Sequence, residues 1–249
     1  MDLDPDLAAL RPLGGFFALR TASPAAGEPP VALPTLARTY AHEPSSVHGD
    51  PLGSRIRKVA GALRAPEARI AASVAHQGLA ARLWSVALGC AALYGALPDL
   101  DPRLLRWDPD GSAPDDLWLT EVRARPGDAA ALAEAVLHGH LEPLAGALRG
   151  RRPLAPGLLR GNAASALAGA ARQLDRWARE HGRADVRARS HALTAELFTH
   201  PLLAGAGTFA GTAFRRRSCC LYYRVPGGGV CGDCCFVRPP RSSPRAPSG

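Results

Sequence analysis

Apolar residues recur at helical spacing through the middle of the chain. Between residues 66 and 97 they return every three to four positions, which is typical of a helix that buries one face. The window 78–98 is apolar enough to approach the length of a membrane span, but Arg82 lies inside it. We therefore predict one long helix, or two abutting helices, in a protein core.

Two shorter apolar runs follow this helix. Residues 103–108 (RLLRWD) and 116–122 (DLWLTEV) have the length and composition of strands, and the turn-rich PDGSAP separates them. We predict an antiparallel hairpin at this point. Residues 1–50, in contrast, are rich in proline and are expected to be irregular, apart from an apolar patch (10–19) and a possible short element at LPTLARTYAHEP (33–44).

The remaining body reads as helical. Asp128 is predicted to cap a helix that Pro143 interrupts, and Asn162 is predicted to cap the next helix, which ends at Gly182. A further helix is expected over 186–199. The pattern therefore predicts a mainly helical body with a small antiparallel sheet.

Charge separates the end of the chain from this body. The formal net charge is +8, and residues 215–249 contribute +6 of it through seven arginines and Asp233. Because the first 214 residues are almost neutral, we expect no nucleic-acid partner. The opening MDLDPDLAAL lacks the residue order of a signal peptide, so we expect a reducing, cytoplasmic environment and no transmembrane segment.

Five of the six cysteines lie within seventeen positions, as Cys219, Cys220, Cys231, Cys234 and Cys235. A C-x-x-C pair such as 231–234 can aim two thiolates at one metal centre. The adjacent pair 219–220 can reach that centre only if the backbone bends, because neighbouring side chains of a strand point to opposite faces. Ligand sites spread over a two-iron cluster suit this arrangement better than a single zinc ion.

Residues around the cysteines could tune such a cluster. Gly232 leaves its amide free to approach a sulfur. Positive charge that would favour the reduced form is carried by Arg215, Arg216, Arg217, Arg224 and Arg238, of which Arg217 and Arg224 are the main candidates. A structural zinc site, a dithiol redox pair and unligated thiols remain as alternatives. The fifth thiol, Cys235, is expected to be a spectator, and Cys90 a buried apolar residue.

The stretch RRSCCLYYRVPGGGVCGDC resembles the C-terminal motif of the FhuF-like ferric siderophore reductases. The resemblance implies a [2Fe–2S] cluster held through the pattern Cys-Cys-x10-Cys-x2-Cys, on Cys219, Cys220, Cys231 and Cys234. GLAARLWSVALGCAAL (78–93) and LLRGNAASAL (158–167) are also similar to that family, more loosely. Where this family often has proline, the present chain has Cys235.

The resemblance completes the predicted organisation as an α+β protein, with a predominantly helical body, a small antiparallel sheet and a C-terminal iron–sulfur segment. Its parts are an irregular region (1–50), a siderophore-reductase-like body (51–210), the [2Fe–2S] segment (211–238) and a disordered tail (239–249). It implies a cytoplasmic enzyme, free or peripheral to the inner face of the membrane, that passes one electron to a ferric siderophore of the hydroxamate type and releases Fe(II). A ferredoxin, flavodoxin or flavin reductase would supply the electron.

Two other classes stay open. One is a [2Fe–2S] electron-transfer or redox-sensing protein with a protein partner, and the other is a structural zinc protein. Among other candidate sites, the His138-x-His140 pair is expected to be solvated rather than metal-binding, and Tyr222 and Tyr223 either shield the cluster or are ordinary strand residues. The four tryptophans are expected to pack in the core.

Overall fold

A computed structural model describes residue 7 and residues 9–21, 33–41, 49–210 and 213–240. The α-helices of this part of the chain are α1 (Leu36–Tyr40), α2 (Pro51–Leu63), α3 (Ala68–Tyr94), α4 (Ala129–Leu132), α5 (Glu142–Arg151), α6 (Pro156–Glu180) and α7 (Ala184–Leu197). The strands are β1 (Arg20–Thr21), β2 (Ala96–Pro98), β3 (Leu105–Trp107), β4 (Leu117–Leu119), β5 (Ala124–Pro126), β6 (Gly207–Ala210) and β7 (Ala213–Arg216). The predicted α+β architecture is confirmed.

Helix α3 forms the centre of the fold. It buries side chains around most of its circumference, because α2, α6 and α7 all pack against it. The predicted core helix is therefore confirmed as one continuous helix, which ends where Gly95 adopts a left-handed φ of 70°. None of the helices in the described ranges has the length and apolar character needed to cross a bilayer.

Arg82 is buried within α3 and is fully paired. Its Nε donates to Asp116 Oδ1 at 2.9 Å, and its Nη1 donates to the carbonyl oxygens of Phe16 and Ala18 at 2.6 and 2.8 Å. A buried guanidinium is tolerated only with a counter-charge and hydrogen-bond acceptors, and the neighbouring loops supply both. Arg82 thus fastens the N-terminal segment and the hairpin to α3.

The predicted hairpin is confirmed as β3 and β4, which pair antiparallel with Leu105 opposite Leu119 and Trp107 opposite Leu117. A third strand, β1, pairs parallel to β4 and gives the order β1-β4-β3. Residues 20–21 were expected to be irregular, so this part of the prediction is wrong. A two-residue strand carries no detectable alternation, and its position depends on the partner strand.

The expected interruption at Pro143 is also wrong, because the backbone stays helical from α4 to the end of α5. Residues Ala133–Leu141 form a π-helix, in which the Glu142 N–H donates to the Leu137 carbonyl five residues back. Pro143 falls in the first turn of α5. Proline lacks the N–H that a continuous helix would use at this position. The change from π-helical to α-helical hydrogen bonding falls at the same place, and it accommodates the missing donor.

Asn162 does not cap a helix. Helix α6 begins six residues earlier, at Pro156, so Asn162 lies well inside it and is fully buried. Proline at the first helical position is pre-set for helix geometry, which explains the earlier start. The end of the helix was predicted correctly, since α6 stops at Glu180 and Gly182 adopts a φ of 64°.

The C-terminal segment packs on the helical body. Strand β7 lies against α6, and the short 3₁₀ helix Tyr222–Arg224 lies against α3. Separate boundaries at residues 50, 210 and 238 stay predictions. Most of the predicted disordered tail, residues 241–249, lies outside the described residues.

Candidate iron–sulfur site

The two cysteine pairs of the C-terminal segment meet in space. Cys220 Sγ lies 3.5 Å from Cys231 Sγ, although ten residues separate them in the chain. Directly after the adjacent cysteines the backbone turns at Leu221, whose φ of 70° is left-handed. Cys220 is buried, whereas Cys219, Cys231, Cys234 and Cys235 are half-buried.

Backbone amides point at two of the sulfurs. The Leu221 N–H donates to Cys219 Sγ at 3.2 Å, and the Phe236 N–H donates to Cys234 Sγ at 3.4 Å. The Cys234 N–H donates to the Cys231 carbonyl at 3.0 Å, which closes the C-x-x-C turn. Because such amides favour thiolate over thiol, the loop is suited to holding charged sulfur.

The thiols perturb one another strongly. A hydrogen bond from the Cys220 thiol lowers the pKa of Cys219, and the same contact raises the pKa of Cys220. Contact with Cys220, together with burial, raises the pKa of Cys231. Burial also raises the pKa of Cys235, against the influence of the Arg216 guanidinium. Thiols this close do not all lose their protons together, because the thiolates would repel one another, unless a metal cation binds them.

Arg216 connects this segment to α6. Its guanidinium donates to Asn162 Oδ1 and to the Ser218 carbonyl, each at 2.6 Å, and to the Leu158 carbonyl at 3.3 Å. Asn162 in turn donates to the Ser73 carbonyl at 2.9 Å. The Asn162 side chain therefore links α6, α3 and the cysteine segment, which explains its burial inside the helix.

Gly161 permits this close approach. A Cβ at this position would lie 2.1 Å from Ser218 Oγ and 2.9 Å from Arg216 Nη2, which is inside contact distance. The Ser218 hydroxyl meanwhile donates to the Gly157 carbonyl at 2.8 Å. Gly161 and Asn162 thus form the surface of α6 against which β7, the strand that leads into the cysteines, packs.

A second anchor holds the other end of the segment. The buried Asp233 accepts from the Ser165 hydroxyl at 2.5 Å and pairs with Arg172 at 2.9 Å. The Ser73 hydroxyl donates to the Cys220 carbonyl at 2.8 Å. Helices α3 and α6 therefore fix both cysteine pairs from beneath.

The predicted tuning residues have different surroundings. Arg217 is exposed, and Arg224 is exposed and pairs with Glu67 at 2.6 Å. Gly232 is exposed, and the amides of Leu221 and Phe236 are among those that donate to sulfur. Influence of these three residues on a cluster stays a prediction. Of the three consecutive arginines at 215–217, the structure buries Arg216, which the sequence does not distinguish from its two neighbours.

A cavity of about 490 Å³ lies beside the cysteines. Its walls include Cys231 and Asp233 from the cysteine loop, Phe16 from the N-terminal segment, and Arg172 and Gln173 from α6. Within the described residues, Arg172 Nη1 has no hydrogen-bond partner. The cavity thus combines an aromatic wall, a cation and direct proximity to a thiol.

Comparison with known proteins identifies the cofactor. Residues 216–236 match the family model for the FhuF 2Fe-2S C-terminal domain. This segment binds a [2Fe–2S] cluster, as predicted. A [2Fe–2S] cluster takes four thiolates, and this segment offers five thiols, two of which have sulfurs 3.5 Å apart. No curated protein matches the chain significantly.

The remaining chemistry-bearing residues do not form a second metal site. Across the described ranges, no three His, Cys, Asp or Glu side chains are arranged to hold a single ion. His138 is exposed and pairs with Glu142, but His140 is fully buried, so the expectation of a solvated pair is wrong for His140. His140 Nε2–H donates to the Leu100 carbonyl at 2.5 Å, and Nδ1 accepts from the Tyr40 hydroxyl at 2.8 Å.

The tryptophans and Cys90 are mostly packing residues. Trp84 and Trp107 are buried, and Cys90 is a buried thiol of α3, as predicted. Trp118 is only half-buried and lies under the Arg20 guanidinium, whereas the half-buried Trp177 stacks on a histidine ring. The expectation that the tryptophans pack in the core therefore holds for Trp84, Trp107 and Trp177, which packs against the core, and not for Trp118.

Proposed function

We propose that Cys219, Cys220, Cys231 and Cys234 are the four cluster ligands. Their spacing is the one that the family resemblance implies, and the 3.5 Å contact between Cys220 and Cys231 brings the two pairs together. Cys235 is left as a fifth, non-ligating thiol. When bound, the cluster supplies reversible one-electron chemistry.

Serine substitutions test this ligand set. Replacing any of the four ligands should abolish the visible absorption of anaerobically purified protein or shift it, because an alkoxide replaces a thiolate. Cys235→Ser is the matched control and should keep both the spectrum and the iron and sulfide content. Bleaching by Cys235→Ser would contradict the assignment, as would a colourless wild-type protein that carries zinc.

We further propose that the protein is a cytoplasmic ferric-siderophore reductase. The observation that carries this proposal is the cavity beside the cysteines, with Cys231 in its wall. A chelate bound there would lie next to the electron source with no intervening protein layer. Transfer of one electron oxidises the protein and reduces Fe(III) to Fe(II), which oxygen chelators such as hydroxamates hold far more weakly.

The walls of the cavity suit a chelate of mixed polarity. Phe16 is 46% exposed and offers an apolar surface, while Arg172 and Gln173 offer donors for ligand oxygens. Glycines at positions 14, 15 and 169 also line the cavity, and because they have no side chains they do not fill its volume. A separate ferredoxin, flavodoxin or flavin reductase would return an electron to the protein after each turnover.

Stopped-flow mixing tests the reductase proposal. Dithionite-reduced protein should be reoxidised rapidly by ferric hydroxamates, with an Fe(II) chelator trapping one Fe(II) per electron lost. The Gly169→Phe variant should slow this reaction severalfold or more, because a Cβ at 169 would meet only Arg172 Nη2, at 3.9 Å, and the ring has room to extend into the cavity. Gly61→Phe, at an exposed position of α2 with open space, is the matched control.

An electron-transfer protein is the second candidate, because the family match is confined to the cysteine segment. A carrier would exchange electrons with a protein partner and ignore ferric chelates. Indifference of the reduced protein to every ferric hydroxamate, with rapid oxidation by ferredoxin-type proteins, would replace the reductase proposal with this one.

A further inference from the structure

Arg216 is a buried cation whose hydrogen-bond partners are all neutral. Only 1% of its surface is exposed. Its guanidinium donates to the carbonyls of Ser218 and Leu158 and to the amide oxygens of Asn162 and Gln77, the last at 3.4 Å. These bonds satisfy its hydrogens but leave its charge uncompensated.

Two other buried or half-buried arginines do have a carboxylate partner. Arg82 pairs with Asp116, and Arg172 pairs with Asp233. No carboxylate of the described residues lies within 4.0 Å of the Arg216 guanidinium. An isolated buried charge is one of the most costly groups that a fold can contain, so a nearby anion is expected.

The cysteine thiolates are the anionic groups whose charge Arg216 can balance. Its guanidinium donates to the carbonyl of Ser218, directly before Cys219, and to Asn162, whose side chain also contacts the Ser73 hydroxyl that donates to the Cys220 carbonyl. Its backbone N–H donates to the Asp233 carbonyl at 3.0 Å, inside the C-x-x-C loop. Arg216 is therefore bonded to residues adjacent to both cysteine pairs and is held there from α6.

We propose that Arg216 is the internal counter-charge of the [2Fe–2S] cluster and raises its reduction potential. Uptake of one electron adds one negative charge to the site, so a fixed buried cation stabilises the reduced form more than the oxidised form. Arg215 and Arg217 flank it but are exposed, and solvent and salt screen their charges. The proposal depends on the cluster and its ligands, not on the siderophore as substrate.

Redox titration followed by electron paramagnetic resonance tests the assignment. Arg216→Gln should lower the potential by at least 59 mV, which is a tenfold change in a one-electron equilibrium. Arg216→Lys should restore part of the loss, and Arg217→Gln, the matched control one position along, should change the equilibrium less than twofold. Equal potentials in Arg216→Gln and Arg217→Gln would overturn the proposal.

A second variant keeps the test decisive if Arg216→Gln cannot hold the cluster. Asn162→Asp retains Arg216 but places a carboxylate where the amide oxygen now lies 2.6 Å from the guanidinium. Neutralising the cation in this way should lower the potential in the same direction, and an unchanged potential would overturn the proposal. Because no ferric chelate is present in either titration, failure of the reductase proposal would be seen separately.

Discussion

Substituting alanine for Gly161 should separate the cysteine segment from the body of the protein. The new Cβ would lie 2.1 Å from Ser218 Oγ and 2.9 Å from Arg216 Nη2. Neither group can move freely, because the Ser218 hydroxyl is bonded to the Gly157 carbonyl and the guanidinium is fastened to Asn162. The segment must therefore shift away from α6 or lose these bonds.

The size of the effect follows from comparison with Gly169→Ala in the same helix. There the nearest atom would be Arg172 Nη2 at 3.9 Å, an ordinary contact. Both substitutions gain roughly 0.8–1 kcal/mol of helix propensity, so this contribution cancels between them. The remaining difference is the cost of overpacking, about 1–3 kcal/mol, with Gly161→Ala the less stable variant.

Urea unfolding followed by circular dichroism measures this difference, and visible absorption reports the cluster content of the same samples. We expect Gly161→Ala to unfold at lower urea concentration and to lose part of its cluster, while Gly169→Ala unfolds at or above the wild-type concentration. Equal stability of the two variants, with full cluster content in both, would show that the segment does not depend on close approach at Gly161.

Two further predictions concern the helical body. Burial lowers the pKa of His140 to about 4 and that of His76 to about 3, so stability present above about pH 6.5, where the unfolded histidines titrate, should be lost as pH falls, by about 1.4 kcal/mol per pH unit for each histidine. Urea midpoints at neutral pH and about pH 5 measure this loss, and equal midpoints would contradict it. Arg82→Met should lower the free energy of unfolding by about 3–5 kcal/mol, because it leaves Asp116 buried without its main partner. Adding Asp116→Asn should recover part of that loss in the same unfolding assay, whereas additive losses would contradict the pairing.

Periodicity located most of the regular structure correctly. The core helix, the β3–β4 hairpin and the end of α6 near Gly182 all follow from apolar spacing and turn residues, which act over a few neighbouring positions. The misses have a common cause in long-range packing. Strand β1 exists through its pairing with β4, and Asn162 is inside α6 because its partners, Ser73 and Arg216, come from distant parts of the chain.

The site divides in the same way. The cysteine spacing favoured a two-iron cluster over zinc, because a tight loop can present two thiolates only at certain separations, and the family resemblance specified the cluster. Local sequence could not show which of three consecutive arginines is buried. Alternation along a strand places 215 and 217 on the same face, and tertiary contacts decide which face is buried. The structure buries Arg216 and leaves both neighbours exposed.

What the sequence by itself determined was therefore chemical, namely a cluster-binding run of cysteines in a basic segment and a long apolar helix to support it. Tertiary structure decided which residues surround those cysteines. Gly161 and Asn162 on α6 receive Arg216, Ser165 and Arg172 receive Asp233, and the cavity opens between them and the N-terminal segment. Ligand spacing is a property of a short loop, whereas counter-charge, anchoring and access arise only when distant helices pack together.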